Sequence, residues 1–264
     1  MKIGWVGLGS IGTGMAKQAL AAGYAVTVYA RGAGLADAEA AGAVTAKDYA
    51  EIAARSDILG ICVYSDAQLR EVLFEGGALA AARPGTIVAI HTTGSPELAR
   101  EIGTRAPGGV AVLDATFSGG PTEVAAGTLA LMVGGEAEAL DRARPLFETY
   151  AGKMYHIGPL GHGQMLKLLN NLLFAANIQN AAEILRVAER QGLDTATSAR
   201  ILQDCSGASY ASALFQHAPI DALLGVTRPY LEKDVATALA SARDSGIDVS
   251  PFVSTEAFFA KTGR

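Results

Sequence analysis

Cysteine is scarce in this chain of 264 residues: only Cys62 and Cys205 are present. They lie far apart and match no metal-ligand spacing, which argues against a disulfide scaffold or a zinc module. No metal site is expected, and both thiols are expected to be reduced and buried. Basic residues are also in short supply, 21 Lys and Arg against 26 Asp and Glu, a net charge of −5. That balance excludes a nucleic-acid footprint and an anionic membrane surface. No apolar run approaches the length of a membrane span. The opening "MKIGWVGLG" is too short in its apolar run, and too early in its glycines, to read as a signal peptide, so a cytoplasmic location is expected.

Half of the chain is hydrophobic, a composition that supports a well-packed core. In the first part, short β-rich runs alternate with helical stretches. "KIGWVG", "AVTVYA", "ILGICVY", "GTIVAIHT", "GVAVLDATF", "TLALMVGG" and "KMYHIG" are separated by segments such as "GMAKQALAAG" and "SPELAREIGTRA". Alternation of this kind predicts a parallel sheet covered by helices on both faces. After Gly163 the pattern turns wholly helical. "QMLKLLNNLLFAANIQNAAEILRVAERQG" reads as one helix ending at Gly192, followed by a helix capped by Asp194 or Thr195 and by helices over "EKDVATALASARDSG" and "SPFVSTEAFFAKTG". The expected organisation is an α/β domain over residues 1–160 and an all-helical domain over residues 161–264, joined by the long helix. That helix is too apolar for the short remainder to cover, so a homo-oligomer is expected.

"GWVGLGSIGTGMA" contains G-x-G-x-x-G at Gly7, Gly9 and Gly12. The bare pattern is weak in a glycine-rich chain, but here it follows a strand and opens a helix within a βαβ unit. Gly7 permits the tight turn, Gly9 lets the backbone approach a pyrophosphate, and Gly12 lets helix and strand pack closely. The domain is therefore read as Rossmann-type and dinucleotide-binding. The second strand ends at Ala30-Arg31-Gly32, with no acid before Asp37. A guanidinium there suits a 2′-phosphate, so NADP is preferred, NAD being the alternative.

Lys167 lies among Met165, Leu166, Leu168 and Leu169, and shares a helix face with Asn171. An ammonium in such surroundings has a use, or it reaches solvent along its own stem. Spacing alone leaves both readings open.

Four motifs, in order and across nearly the whole chain, resemble the β-hydroxyacid dehydrogenase family, the group of 3-hydroxyisobutyrate dehydrogenase and tartronate semialdehyde reductase. They are "GLGSIGTGMAKQALAAG", "DATFSGGPTEVAAGTLALMVGG", "GHGQMLKLLNNLL" and "EKDVATAL". The resemblance implies hydride transfer between NADP(H) and a small β-hydroxyacid or its semialdehyde, with Lys167 as general acid/base and Asn171 orienting the substrate. It also implies that Ser118, Gly119 and Gly120 cradle the substrate through backbone N–H groups and a hydroxyl. Lys233 would lie near both substrate and nicotinamide ribose, and Ile11, Val63 and Thr93 would join the glycines at the cofactor. A free lysine titrates near ~10.4 and needs burial or a positive neighbour to act near neutrality.

The chain also departs from its relatives. Seven positions after the lysine, where decarboxylating phosphogluconate enzymes carry an acid, stands Phe174, which argues against that activity. Imine reductases usually replace the lysine. An imine reductase and a dinucleotide-binding protein without turnover are the alternatives. Thr116 and Phe117 precede the "SGG", His91 replaces an aspartate before Thr92 and Thr93, and Tyr210 replaces a tryptophan. The chain ends at "FFAKTGR" where relatives continue, which bears on cleft closure.

Overall fold

Ile3, Trp5 and Val6 are buried in the first strand, β1 (Lys2–Val6), because it lies inside a sheet covered on both faces. The structure, a computed structural model, describes residues 1–30 and 34–260. It divides into two units, Met1–Lys167 and Leu168–Arg264.

In the first unit β1 is followed by α1 (Ser10–Ala21), β2 (Ala25–Tyr29), α2 (Gly34–Ala40) and β3 (Val44–Thr45). Then come α3 (Tyr49–Arg55), β4 (Ile58–Ile61), α4 (Asp66–Arg70) with a π turn over Glu71–Glu75, and α5 (Ala78–Ala81). The unit continues with β5 (Ile87–Ile90), α6 (Pro96–Arg105), β6 (Ala111–Ser118), α7 (Pro121–Ala126), β7 (Leu129–Gly134), α8 (Ala137–Phe147) and β8 (Ala151–Gly158). Sheet order is β3-β2-β1-β4-β5-β6-β7-β8, so connectivity reverses direction between β1 and β4. Every pair is parallel except β6 with β7. The connection over residues 119–128 is too short for a full crossover, so the chain turns back there.

Alternate side chains feed two cores. Ile3, Trp5, Val28, Leu113, Phe147 and Tyr150 pack on one face, and Val6, Ile61, Ile90, Leu98 and Ile102 on the other. β3 was not among the expected strands; at two residues it carries no alternation to read.

The second unit takes most of α9 (His162–Arg190) and adds α10 (Thr195–Leu202), α11 (Tyr210–Ala213), a 3₁₀ turn over Leu214–Gln216, α12 (Ile220–Asp244), a second such turn over Ser250–Phe252, and α13 (Val253–Ala260). Asp194 caps α10 by accepting from Thr197 N at 2.7 Å. Leu168, Leu172, Ala175, Ile178, Ala182 and Leu185 form the core face of α9, packed with Phe215, Leu231, Val235, Leu239 and Phe259. On the opposite face Leu169, Leu173, Ile184 and Val187 are exposed.

Two expectations are corrected. The helix expected over "EKDVATALASARDSG" begins earlier, at Ile220, and runs through Pro229. A proline inside a helix costs about 3 kcal/mol, which burial of Leu224 and Leu231 on either side offsets. Cys205 is exposed rather than buried, because it lies in the turns after α10 where no element covers it. Cys62 packs against the core, and burial pushes its thiol up to about 12.

His91, at the end of β5, is 1% exposed and stacks on Trp5 at 5.4 Å between ring centroids. Its Nδ1 donates to Ala115 O at 2.6 Å, since a carbonyl only accepts, and Nε2 then accepts from Tyr150 Oη at 3.2 Å. Burial lowers its pKa to about 4. Between pH ~6.5 and that value the unfolded chain therefore binds a proton at this ring that the folded chain does not. Stability from this group is complete above the unfolded pKa and is lost as pH falls through the folded one, by about 3 kcal/mol in all. Asp114, raised by burial, works in the opposite sense, so the isolating comparison is with His91→Phe. Urea unfolding between pH 7.5 and 4 is expected to show a shallower pH slope in that variant. Equal slopes would remove His91 from the acid response.

Candidate active site

Gly7 follows β1 with φ of 90°, a conformation that favours glycine. A Cβ there would strike Cys62 O, at the end of β4. Gly7 and Val63 thus lie beside the point where sheet order reverses, the place where open α/β sheets bind their ligands. Gly12 lies against Gly7 O and has no room for a side chain. Gly9 is different: it is exposed, and a Cβ there meets nothing within 4 Å. The backbone that opens α1 therefore faces open space, as close approach to a pyrophosphate requires. These residues fit a dinucleotide. Ile11 and Thr93 are half-buried on the neighbouring turns. Arg31 lies outside the described residues.

Ser118 ends β6 half-buried, and Gly119, with φ of 125°, turns the chain into α7. Glu123 Oε2 accepts from Gly120 N at 2.7 Å, so this N–H, expected to face a substrate, is already engaged by a protein carboxylate. The cause is local: a glutamate at the third position of α7 reaches back to the residue before the helix.

Asp114, in β6, is 0% exposed and caps the start of α9. Its Oδ1 accepts from Gly161 N at 3.0 Å and its Oδ2 from Gln164 N at 2.7 Å. Burial raises its pKa, while these two N–H groups pull it back down. Lys167, half-buried, follows within one turn and is the last residue of the first unit. The division into compact units falls within α9, after its first turn.

In the second unit the structure brings Asn171 and Lys233 to one carboxylate. Asn171 Nδ2 donates to Asp234 Oδ2 at 2.5 Å, and Lys233 Nζ lies 2.8 Å from Asp234 Oδ1. Asn171 Oδ1 accepts from Asn170 Nδ2 at 3.0 Å. Asp234, 5% exposed, thus fixes the orientation of the amide. Sequence reasoning overlooked it, although it stands next to Lys233 in the fourth motif. Phe174 packs on Tyr210 with ring centroids 6.0 Å apart, and Tyr210 is 73% exposed. Among the described residues no group of three or more His, Cys, Asp or Glu is placed to hold a metal, and no helix is long and apolar enough to cross a membrane.

Residues 2–158 match the family described as the NAD binding domain of 6-phosphogluconate dehydrogenase. Residues 161–263 match the NAD-binding family of NADP-dependent 3-hydroxyisobutyrate dehydrogenase. An NAD-dependent L-serine dehydrogenase of Pseudomonas aeruginosa is 38% identical over 222 residues, 83% of this chain and 74% of that one. Among solved structures, a Mycobacterium tuberculosis 3-hydroxyisobutyrate dehydrogenase with L-serine superposes with a TM-score of 0.86 at 29% identity, covering 98% of this chain and 92% of that one. A structure described as Psf3 in complex with NADP+ and 2-OPP superposes with a TM-score of 0.83 at 27% identity, covering 98% and 93%.

Proposed function

The chain belongs to the β-hydroxyacid dehydrogenase family, and on that premise we propose that it transfers a hydride between NADP(H) and a small β-hydroxyacid or its semialdehyde, with Lys167 as general acid/base. The observation that carries this reading is the Asn171–Asp234–Lys233 chain of contacts, one helical turn beyond Lys167 on α9. A side-chain amide held by a buried carboxylate presents its remaining N–H in a set direction, which suits it to orient a hydroxyl or carbonyl oxygen. Lys167, four residues earlier on the same face, donates a proton to that oxygen when the carbonyl is reduced and accepts it when the alcohol is oxidised. A bound nicotinamide nucleotide supplies the hydride. Gly7, Gly9, Ile11, Gly12, Val63 and Thr93 would hold it, and Lys233 would serve its ribose and the substrate. Ser118 and Gly119 bound the substrate's far end beside Gly120, whose N–H Glu123 occupies. The test is a panel of hydroxyacids, semialdehydes and cyclic imines, followed by nicotinamide absorbance in both directions. Turnover of acids and not imines supports the assignment, and turnover of imines alone overturns it.

NADP over NAD rests on Arg31, whose guanidinium would pair with a 2′-phosphate. The relatives named above are divided, one NAD-dependent and one with NADP+ bound. Arg31→Ala is expected to weaken NADPH binding roughly tenfold or more while sparing NADH, as loss of one charge-assisted contact worth about 1.5–3 kcal/mol requires. Calorimetry giving equal NADPH and NADH affinities in the unmutated protein would contradict the preference.

Assembly follows from the exposed face of α9. Leu169, Leu173, Ile184 and Val187 are each more than half exposed, an apolar stripe that a second copy would cover. A dimer is the expected state in sedimentation at micromolar concentration. Leu173→Glu with Ile184→Glu is expected to give monomers, and an unmutated monomer would refute the proposal.

A further inference from the structure

Gln164 is 1% exposed and joins segments that stand 70 residues apart in the chain. Its Oε1 accepts from Gly94 N at 2.9 Å, and its Nε2 donates to Thr92 O at 2.7 Å. Its own backbone N–H is the one that donates to Asp114. The amide is thus read at both ends, donor against carbonyl and acceptor against N–H, and rotating it by half a turn would oppose like dipoles at both contacts. An apolar side chain of the same size would leave two buried backbone groups unpaired. The clasped turn is tied further back: Val63 N donates to Thr92 Oγ1 at 3.0 Å, and Ser95 N to Asp66 at 3.1 Å. Val63 in turn borders Gly7.

We propose that Gln164 is a positioning residue that holds the Thr92-Thr93-Gly94 turn and the first turn of α9 in one fixed relation. The nicotinamide contact assigned to Thr93 and the proton-transferring Lys167 are then set together, before any substrate arrives. This rests on the function proposed above. Lys167 is three residues beyond Gln164, so a shift of that turn moves its Nζ as well.

Two variants test it. Gln164→Met keeps length and removes both contacts. Gln164→Glu keeps the acceptor for Gly94 N–H but sets a carboxylate against Thr92 O; once protonated, it donates there as the amide did. Titratable groups around this position are Asp114 on β6, His162 and Lys167 on α9, Asp66 on α4 and His91 beside Thr92, so the unmutated protein is carried through the same pH range as reference.

Hydrogen exchange of peptides covering residues 91–95 and 161–167, and the affinity for whichever nicotinamide nucleotide binds more tightly, are measured first. Kinetics with the best panel substrate follow. In Gln164→Met both peptides are expected to lose protection, nucleotide affinity to fall about tenfold, and kcat to fall at least as far with little change in substrate KM. Gln164→Glu is expected to show the same defects at pH 8 and to recover them at pH 5.5. Unchanged exchange and affinity in both variants, or a glutamate defect indifferent to pH, overturns the proposal. If Gln164→Met fails to fold, the recovery of Gln164→Glu decides. If the unmutated protein turns over no panel compound, the proposed function fails alone, because exchange and affinity still decide the clasp.

Discussion

Lys167→Met is expected to bind nucleotide and fold as the unmutated protein does, and to turn over about 10²–10⁴ more slowly, the usual worth of general acid–base catalysis. Methionine matches the lysine stem in length and suits the neighbours Met165 and Leu168, so the substitution removes the ammonium and little else. Lys167 is half-buried, near the start of a helix whose first turn is held by Asp114 and Gln164, so the backbone beneath it stays in place. The limb of the pH–rate profile that reports its ionisation should be displaced. Lys167→Arg should not restore the rate, because a guanidinium stays protonated and is bulkier at the reacting oxygen. Asn171→Asp should lose less, mainly through poorer orientation, although it sets a second carboxylate against Asp234. Steady-state kinetics of the three variants checks the order. An active Lys167→Met with a normal pH profile would make the lysine a structural one.

The glycines of the nucleotide turn are expected to separate binding from folding. Gly9→Ala adds a methyl where nothing lies within 4 Å, so thermal unfolding should be unchanged while nucleotide affinity falls on the order of tenfold or more through lost close approach. Gly12→Ala adds the same methyl against Gly7 O, 3.1 Å from Trp5 Nε1, in the core between β1 and α1. Overpacking there should cost roughly 3 kcal/mol or more, and lower the melting temperature as well as binding. Nucleotide affinity and melting temperature, measured together, check the contrast. A stable Gly12→Ala that binds normally would contradict the role given to that glycine.

Periodicity made most of the fold legible. Alternating apolar runs marked the buried parallel strands, and α9 showed its length through an unbroken helical pattern up to Gly192, where φ of 80° ends it. Misreadings came where tertiary packing overrides local signals. The helix expected from Glu232 begins at Ile220, because core burial carries α12 through Pro229. The two residues of β3 are placed by β2 alongside, not by their own pattern.

The site was legible as residue types and spacing, but not as hydrogen bonds. Lys167, Asn171 and Lys233 stood out in their motifs, whereas Asp234 acquires its role by meeting Asn171 from 63 residues away. Glu123 likewise acquires its role only in the fold, where its carboxylate accepts from Gly120 N. His91 reads as a polar substitution in sequence; in the fold it is a neutral ring clasped between Ala115 and Tyr150.

The central claim is that Lys167 moves the proton that accompanies hydride transfer. Its most direct test is a single-turnover experiment in which nucleotide-saturated Lys167→Met is mixed with the best panel substrate and nicotinamide absorbance is followed. The expected result is normal nucleotide binding with hydride transfer slowed at least ~10²-fold, and a rate within a factor of about three of the unmutated enzyme would contradict the claim.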